Sequence, residues 1–241
     1  MDRMIYLSMS GAKATMQRQE VLANNLANAS TTGFRAELQA MRAVPVRGDG
    51  ASTRVYALET TTGYDPSPGP ITNTARALDV AMQGNAWLGV QALDGTEAYT
   101  RMGSLQVNAE GTLVTSGGMT VLGDGGPIVL PPNTAPAIAS DGTVSVTQPD
   151  GTVEPVGRLK LVTPEAPLVR GNDSLFRNPD GDLPADQTAR LQDGALEGSN
   201  VNPIENMVAM IAAARQFEAQ MKMLQTAETD EQVAGKLLSM N

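Results

Sequence analysis

The sequence predicts an α+β fold: long N- and C-terminal α-helices that pair as a coiled coil, with a central antiparallel β-rich domain. Three observations predict it. Residues 1 to about 40 contain no proline and only two glycines, Gly11 and Gly33, while apolar residues recur at helical spacing. Residues from about 45 to 195 are rich in Gly, Pro, Thr and Val, with short apolar runs between turn signals such as "LDGT", "NAEGT", "SDGT" and "PDGT". From Asn202 the helical period returns and Gly and Pro nearly vanish. The expected segments are an N-terminal helix in 1–40, an extended connection in 41–74, a β-rich domain in 75–198 and a C-terminal helix in 199–241.

At about 100° per residue, Ile5, Met9, Ala12, Met16, Leu22, Ala23, Leu26 and Ala27 share an arc of roughly 140°. Asn24, Asn25 and Asn28 lie on the far side. Asparagine is a poor helix former because its side chain competes for the backbone, so three in the stretch "ANNLANASTTGF" need an explanation. Ile5, Met9, Ala12, Met16, Gln19, Ala23 and Leu26 also alternate in steps of four and three, the seam spacing of a coiled coil.

In the C-terminal helix, Asn202 is placed to cap, Pro203 suits the first helical position, and Glu205 stands where a capping box places its acceptor. Ile204, Met207, Met210, Ile211, Ala214, Phe217, Met221 and Leu224 share an arc of about 160°. A helix of forty residues reaches on the order of 60 Å, far beyond one face of a β domain. The two one-sided helices therefore pair most simply with each other. Periodicity alone fits an intramolecular hairpin and a stripe used between subunits equally; the asparagine face favours the second, because a neighbouring molecule would supply its hydrogen-bond partners.

The middle zone reads as antiparallel β in the runs "ALDVAMQG", "AWLGVQAL", "EAYTRMGSLQVN", "TLVTSGGMTVLG", "GTVSVTQ" and "GRLKLVTP". "VRGDGASTRVYALETTTGYDPSPGP" reads as the connection ahead of it, and "SLFRNPDGDLPAD" as an irregular loop.

Composition narrows the chemistry. Of the 241 residues 41% are apolar, which suits a folded chain, but only 3% are aromatic, so the core is built from Val, Leu, Ile, Met and Ala. The net charge of -9 without a basic run argues against nucleic acid or an anionic membrane. The absence of cysteine and histidine removes disulfides, thiol nucleophiles, the softer metal ligands and the usual proton carrier near neutral pH. A carboxylate-based hydrolase and a Ser-Lys dyad remain compatible with the composition, though nothing points to either. Asp180, Asp182 and Asp186 lack the spacing of a calcium loop, and "GDGG" at 123–126 lacks the Lys-Ser/Thr of a phosphate loop. Arg47-Gly48-Asp49 spells an adhesion tripeptide, but three common residues in a loop arise readily by chance. No catalytic, cofactor or metal residue is assigned. The opening residues lack the apolar core of a cleaved signal, and no segment approaches the roughly 20 apolar residues that span a bilayer.

"ANNLANASTTGFRA" at 23–36 resembles the signature of the flagellar rod and hook axial proteins, with its Asn-Asn-Leu-Ala-Asn core and Thr-Gly-Phe turn through Gly33 and Phe34. "ALDVAMQGNAWLGV" with "AYTRMGSLQVNAEGTLVTSGGMTVLGDGGPI" is similar to that family's β domain, and "LEGSNVNPIENMVAMIAAARQFEAQMKMLQTAE" to its C-terminal helix. "MDRMIYLSMSGA", "RQFEAQMKMLQTA" and "VGRLKLVTPEAPLVRGNDSLFR" resemble the proximal-rod branch, with the distal rod and the hook as alternatives. One departure is "QGNAWLGV", where Asn85 or Ala86 replaces a turn glycine.

The resemblance implies a non-enzymatic subunit of the basal-body rod, which spans the periplasm. It implies export by the flagellar type III apparatus without a cleaved signal peptide, and contacts with other rod and hook-basal-body proteins. Residues 1–40 then serve export and assembly. On this reading Ile5, Met9, Met16, Leu22 and Leu26 pair with Met207, Ile211, Phe217, Met221 and Leu224, while Asn24, Asn25 and Asn28 bond to adjacent subunits.

Overall fold

The computed structural model describes residues 2–45 and 55–239, so Arg47-Gly48-Asp49 lies outside the described residues. The chain divides into two compact units, one of residues 1–29, 36–65 and 201–241, the other of residues 30–35 and 66–200.

The first unit holds α1 (Asp2–Ala27), the strands β1 (Glu37–Pro45) and β2 (Val55–Tyr64), and α2 (Pro203–Ser239). The connection after α1 takes the form of a hairpin: β1 and β2 pair antiparallel from Glu37↔Tyr64 to Pro45↔Val55, with an irregularity at Leu38/Gln39. α2 starts as its sequence predicts. Asn202 Oδ1 accepts from the N–H groups of Ile204 and Glu205 at 3.1 and 3.4 Å, satisfying donors that a helix start leaves open.

The helices do not pair as the expected coiled coil. Met9 and Met16 are 56% and 55% exposed, and Met207, Ile211 and Met221 are exposed as well. α1 instead buries Ser8, Ala12, Ala14 and Thr15, and α2 buries Ala213. The helices approach at Gly11, where an added Cβ would stand 3.0 Å from the Gln220 side chain. Thr15 tolerates burial because its hydroxyl donates to the Gly11 carbonyl at 2.8 Å. Small and polar side chains thus replace the large apolar knobs that a coiled coil requires. The covered row is Ser8–Ala12–Thr15 rather than Met9–Ala12–Met16.

The second unit is antiparallel β throughout. Its strands are β3 (Ile71–Asn73), β4 (Val80–Met82), β5 (Trp87–Gln91), β6 (Glu97–Thr100), β7 (Leu105–Val107), β8 (Leu113–Thr115), β9 (Thr120–Gly123) and β10 (Gly126–Pro127). There follow β11 (Ala135–Ile138), β12 (Thr143–Thr147), β13 (Val153–Arg158), β14 (Leu161–Val162), β15 (Val169–Arg170), β16 (Phe176–Arg177), β17 (Leu191–Asp193) and β18 (Ala195–Glu197). The main sheet runs β15-β16-β6-β5-β9-β8-β7, with β10 on β9 and β14 on β5. A second sheet orders β11-β12-β13, and two pairs, β17-β4 and β18-β3, bring the end of the unit back to its start.

Alternation explains β12, where Val144 and Val146 are buried between more exposed Thr143, Ser145 and Thr147. β5 is covered on both faces and reads accordingly as a nearly continuous apolar run. Three of the turns repeat one device. Asp94, Asp141 and Asp150 each accept from the backbone N–H of the threonine two residues on, at 2.9 Å, and from its hydroxyl. The intervening glycine has φ of 83°, 87° and 84°, a backbone region that glycine enters without strain. The Asn85/Ala86 departure is accommodated: Asn85 Nδ2 donates to the Pro164 carbonyl at 3.1 Å and Ala86 is buried.

Candidate assembly site and the buried charge cluster

The asparagines at the end of α1 have an intramolecular use. Asn25 is buried, its Nδ2 donates to the Glu37 carbonyl at 3.0 Å, and its Oδ1 accepts the Glu37 N–H at 2.8 Å. One amide therefore pairs with both backbone groups of the first residue of β1, as a neighbouring strand would. Asn24 Nδ2 reaches the Glu37 carboxylate at 3.3 Å, and Asn28 Nδ2 donates to the Asn24 carbonyl and Oδ1, both at 2.9 Å. The cost of asparagine in a helix is offset where the helix ends and the chain must be turned into a strand.

Residues 30–35, flanked in sequence by the first unit, belong to the second. Gly33 has φ +69°, and an added Cβ would lie 2.3 Å from the Arg101 carbonyl carbon, so only glycine fits. Its N–H donates to the Glu197 carbonyl at 2.8 Å. Phe34 is buried beneath the Arg170 guanidinium, 4.6 Å from the ring centre, a cation-π contact.

Arg35 then meets Glu197 and Arg101 in a cluster of three charges, each at most 3% exposed. Arg35 Nη1 lies 2.6 Å from Glu197 Oε1, and Arg101 Nη2 and Nε lie 2.6 and 2.8 Å from Oε2. Glu197 Oε1 also accepts the Gly69 N–H at 3.0 Å. Arg101 spends its remaining donors on the carbonyls of Gly84 and Met82, both at 3.0 Å, and of Ala86, and its guanidinium lies 5.9 Å from the Trp87 ring centre. The cluster carries one net positive charge, and the buried Arg35 Nε has no hydrogen-bond partner among the described residues. Burial of charge is tolerated only with this density of partners.

The sequence-predicted residues separate into three groups. Met9, Met16, Met207, Ile211 and Met221 are exposed rows on the helices; Ile5, Leu22, Leu26, Phe217 and Leu224 are half-buried. Asn24 is exposed and Asn28 half-buried, while Asn25, Gly33 and Phe34 are buried. Sequence reasoning did not single out Arg35, Arg101 or Glu197. Their signal was present: each lies in a different one of the strings "TGFRA", "YTRMG" and "LEGSN" that carry the resemblance.

Comparison with known proteins bears on the same strings. The flagellar basal-body rod protein FlgF of Salmonella typhimurium is 48% identical over 252 residues, which cover 100% of both chains. The chain belongs to the FlgF family of flagellar basal-body rod proteins. The FlgF proteins of Escherichia coli and Caulobacter vibrioides are 47% and 35% identical, again over 100% of each chain. The basal-body rod protein FlgG of Bacillus subtilis stands further off, at 30% over 95% of this chain and 96% of its own. As a FlgF-family member the chain is a structural subunit of the flagellar basal-body rod. Three family models match it: the flagella basal body rod protein over 5–35, the flagellar hook protein FlgE/F/G D1 domain over 81–146, and the flagellar basal body rod FlgEFG protein C-terminal over 192–237. Each contains one member of the cluster, Arg35, Arg101 and Glu197 in turn.

Proposed function

We propose that this chain is a proximal-rod subunit, which transmits torque from motor to hook and assembles through the apolar rows that its two helices expose. The observation that carries this reading is the exposure of Met9 and Met16 on α1 and of Ile204, Met207, Ile211 and Met221 on α2. Apolar rows of this extent are costly in an isolated subunit and mark an interaction surface. Neighbouring rod subunits and hook-basal-body proteins are the partners, with the exposed Asn24 supplying polar contacts beside the apolar row. Head-to-tail contacts between unlike patches generate an open helical assembly instead of a closed ring, as a rod requires. The rod spans the periplasm, and the subunit reaches it through the flagellar type III export apparatus without a cleaved signal peptide.

The test is to delete the gene and image purified basal bodies. Arrest before the distal rod and hook is expected, and complete rods and hooks would refute the reading. In a complementing chain, Met9→Glu together with Ile211→Glu should abolish motility and leave the β unit folded.

A further inference from the structure

The chain has 13 methionines and neither cysteine nor histidine, so the thioether is its one class of readily oxidised sulfur. Among the described side chains the exposed methionines are Met9, Met16, Met207, Met221 and Met223, and every one stands on α1 or α2. Met82, by contrast, is sealed in the β core at 1% exposure. Met9 and Met16 are seven residues apart and so lie within about 20° of one another around α1; Met207 and Met221 are likewise within about 40° on α2. Met223 lies about 160° around α2 from Met207, off that row, so oxidation of the other four would alter an apolar row on each helix.

We infer that these five methionines are a modification site for peroxide, whose conversion to sulfoxide in the free subunit blocks assembly. The inference rests on the assignment of the helix rows to assembly. In the step, the thioether sulfur attacks one oxygen of hydrogen peroxide, the O–O bond breaks, a sulfur–oxygen bond forms, and the departing hydroxide takes the proton of the oxygen now on sulfur and leaves as water. Sulfur loses two electrons and the peroxide gains them. The product is a polar acceptor on a formerly apolar side chain, and burying it in a dry interface without a donor is unfavourable. Once the rows are packed in the rod, the sulfurs of Met9, Met16, Met207 and Met221 are shielded.

Peptide mapping of the purified full chain in dilute hydrogen peroxide tests the chemistry: the five should acquire oxygen at least about tenfold faster than Met82, and equal rates would overturn the inference. For assembly, a strain lacking the gene is complemented with a chain carrying leucine at all five positions, or glutamine at all five as a polar stand-in for the sulfoxide. The leucine chain should restore motility and keep it when peroxide is present during induction at a dose that halts the wild type. The glutamine chain should fail to build rods while its β unit keeps the wild-type thermal transition. A motile glutamine strain, a failing leucine strain, or equal peroxide sensitivity of leucine and wild-type strains would overturn the inference. Normal rods from Met9→Glu with Ile211→Glu would instead refute the assignment of the helix rows.

Discussion

The two units of this chain handle apolar side chains in opposite ways. The β unit seals its largest core side chains, although Leu93 and Val153 stay exposed: Trp87, Leu88, Leu105, Leu113, Leu161 and Leu191 are all at most 2% exposed, and Trp87 packs against Phe176 with ring centres 4.7 Å apart. The helical unit buries Ser8, Ala12, Ala14, Thr15, Asn25 and Ala213 and leaves Met9, Met16, Ile204, Met207, Ile211 and Met221 exposed. A protein that must be stable alone places its largest apolar groups inside, whereas one that completes its packing with neighbours keeps them available. On the proposed assembly reading, the β unit supplies stability and the helices supply association.

The largest test removes the centre of the charge cluster. Glu197→Ala leaves two buried guanidiniums without their carboxylate and should destabilise the β unit by about 3–5 kcal/mol, read as a loss of denaturant midpoint; a loss below about 1 kcal/mol would mean that water already screens the cluster. Next, Leu88→Ala should cost about 2–5 kcal/mol, whereas Met16→Ala should fall within about 0.5 kcal/mol in the same unfolding assay. Equal costs would erase the distinction between the units. Asn25→Ala removes both hydrogen bonds to Glu37 and should cost about 1–3 kcal/mol. Faster hydrogen exchange confined to Glu37 and the residues that follow it would locate that effect in the helical unit.

The smallest effect is pH-dependent and belongs to the β turns. The hydroxyls of Thr163 and Thr188, with the Thr188 N–H, hold the Asp186 carboxyl down at about 2, and hydrogen bonds from the paired threonines lower Asp94, Asp141 and Asp150 as well. A carboxyl whose folded value lies below its unfolded one contributes stability above the unfolded value, near 4, and loses it as pH falls through the folded one. The thermal midpoint of the β unit should therefore be flat above about pH 5 and decline toward pH 2. Asp186→Asn should flatten part of that decline, and an unchanged profile would show that the threonine bonds are not holding the carboxylate.

Much of this architecture was legible in the chain. Helical spacing, the Asn202 cap and the Asp-Gly-Thr turns act within a few residues, so local physics determines them wherever the segment sits. The resemblance carried by "ANNLANASTTGFRA" and its companion strings likewise requires no structure. Which row of α1 is covered was not legible, because Met9–Met16 and Ser8–Thr15 have the same spacing. Hydrophobicity favoured the first row, yet the fold covers the second, with Ser8, Ala12 and Thr15 buried and the Gln220 side chain against Gly11.

The charge cluster shows the same limit at longer range. Arg101 and Glu197 are 96 residues apart, and an ion pair at that separation leaves no period or spacing in the chain. By itself the sequence determined the order of helix, sheet and helix, the turn and cap chemistry, and the family, because these depend on neighbouring residues or on the order of letters. Only the tertiary structure decided that Asn25 serves as a surrogate strand partner, that Arg35 and Arg101 share the Glu197 carboxylate inside the β unit, and that the methionine rows face outward. Each of those outcomes depends on which distant backbone comes within hydrogen-bond or van der Waals range.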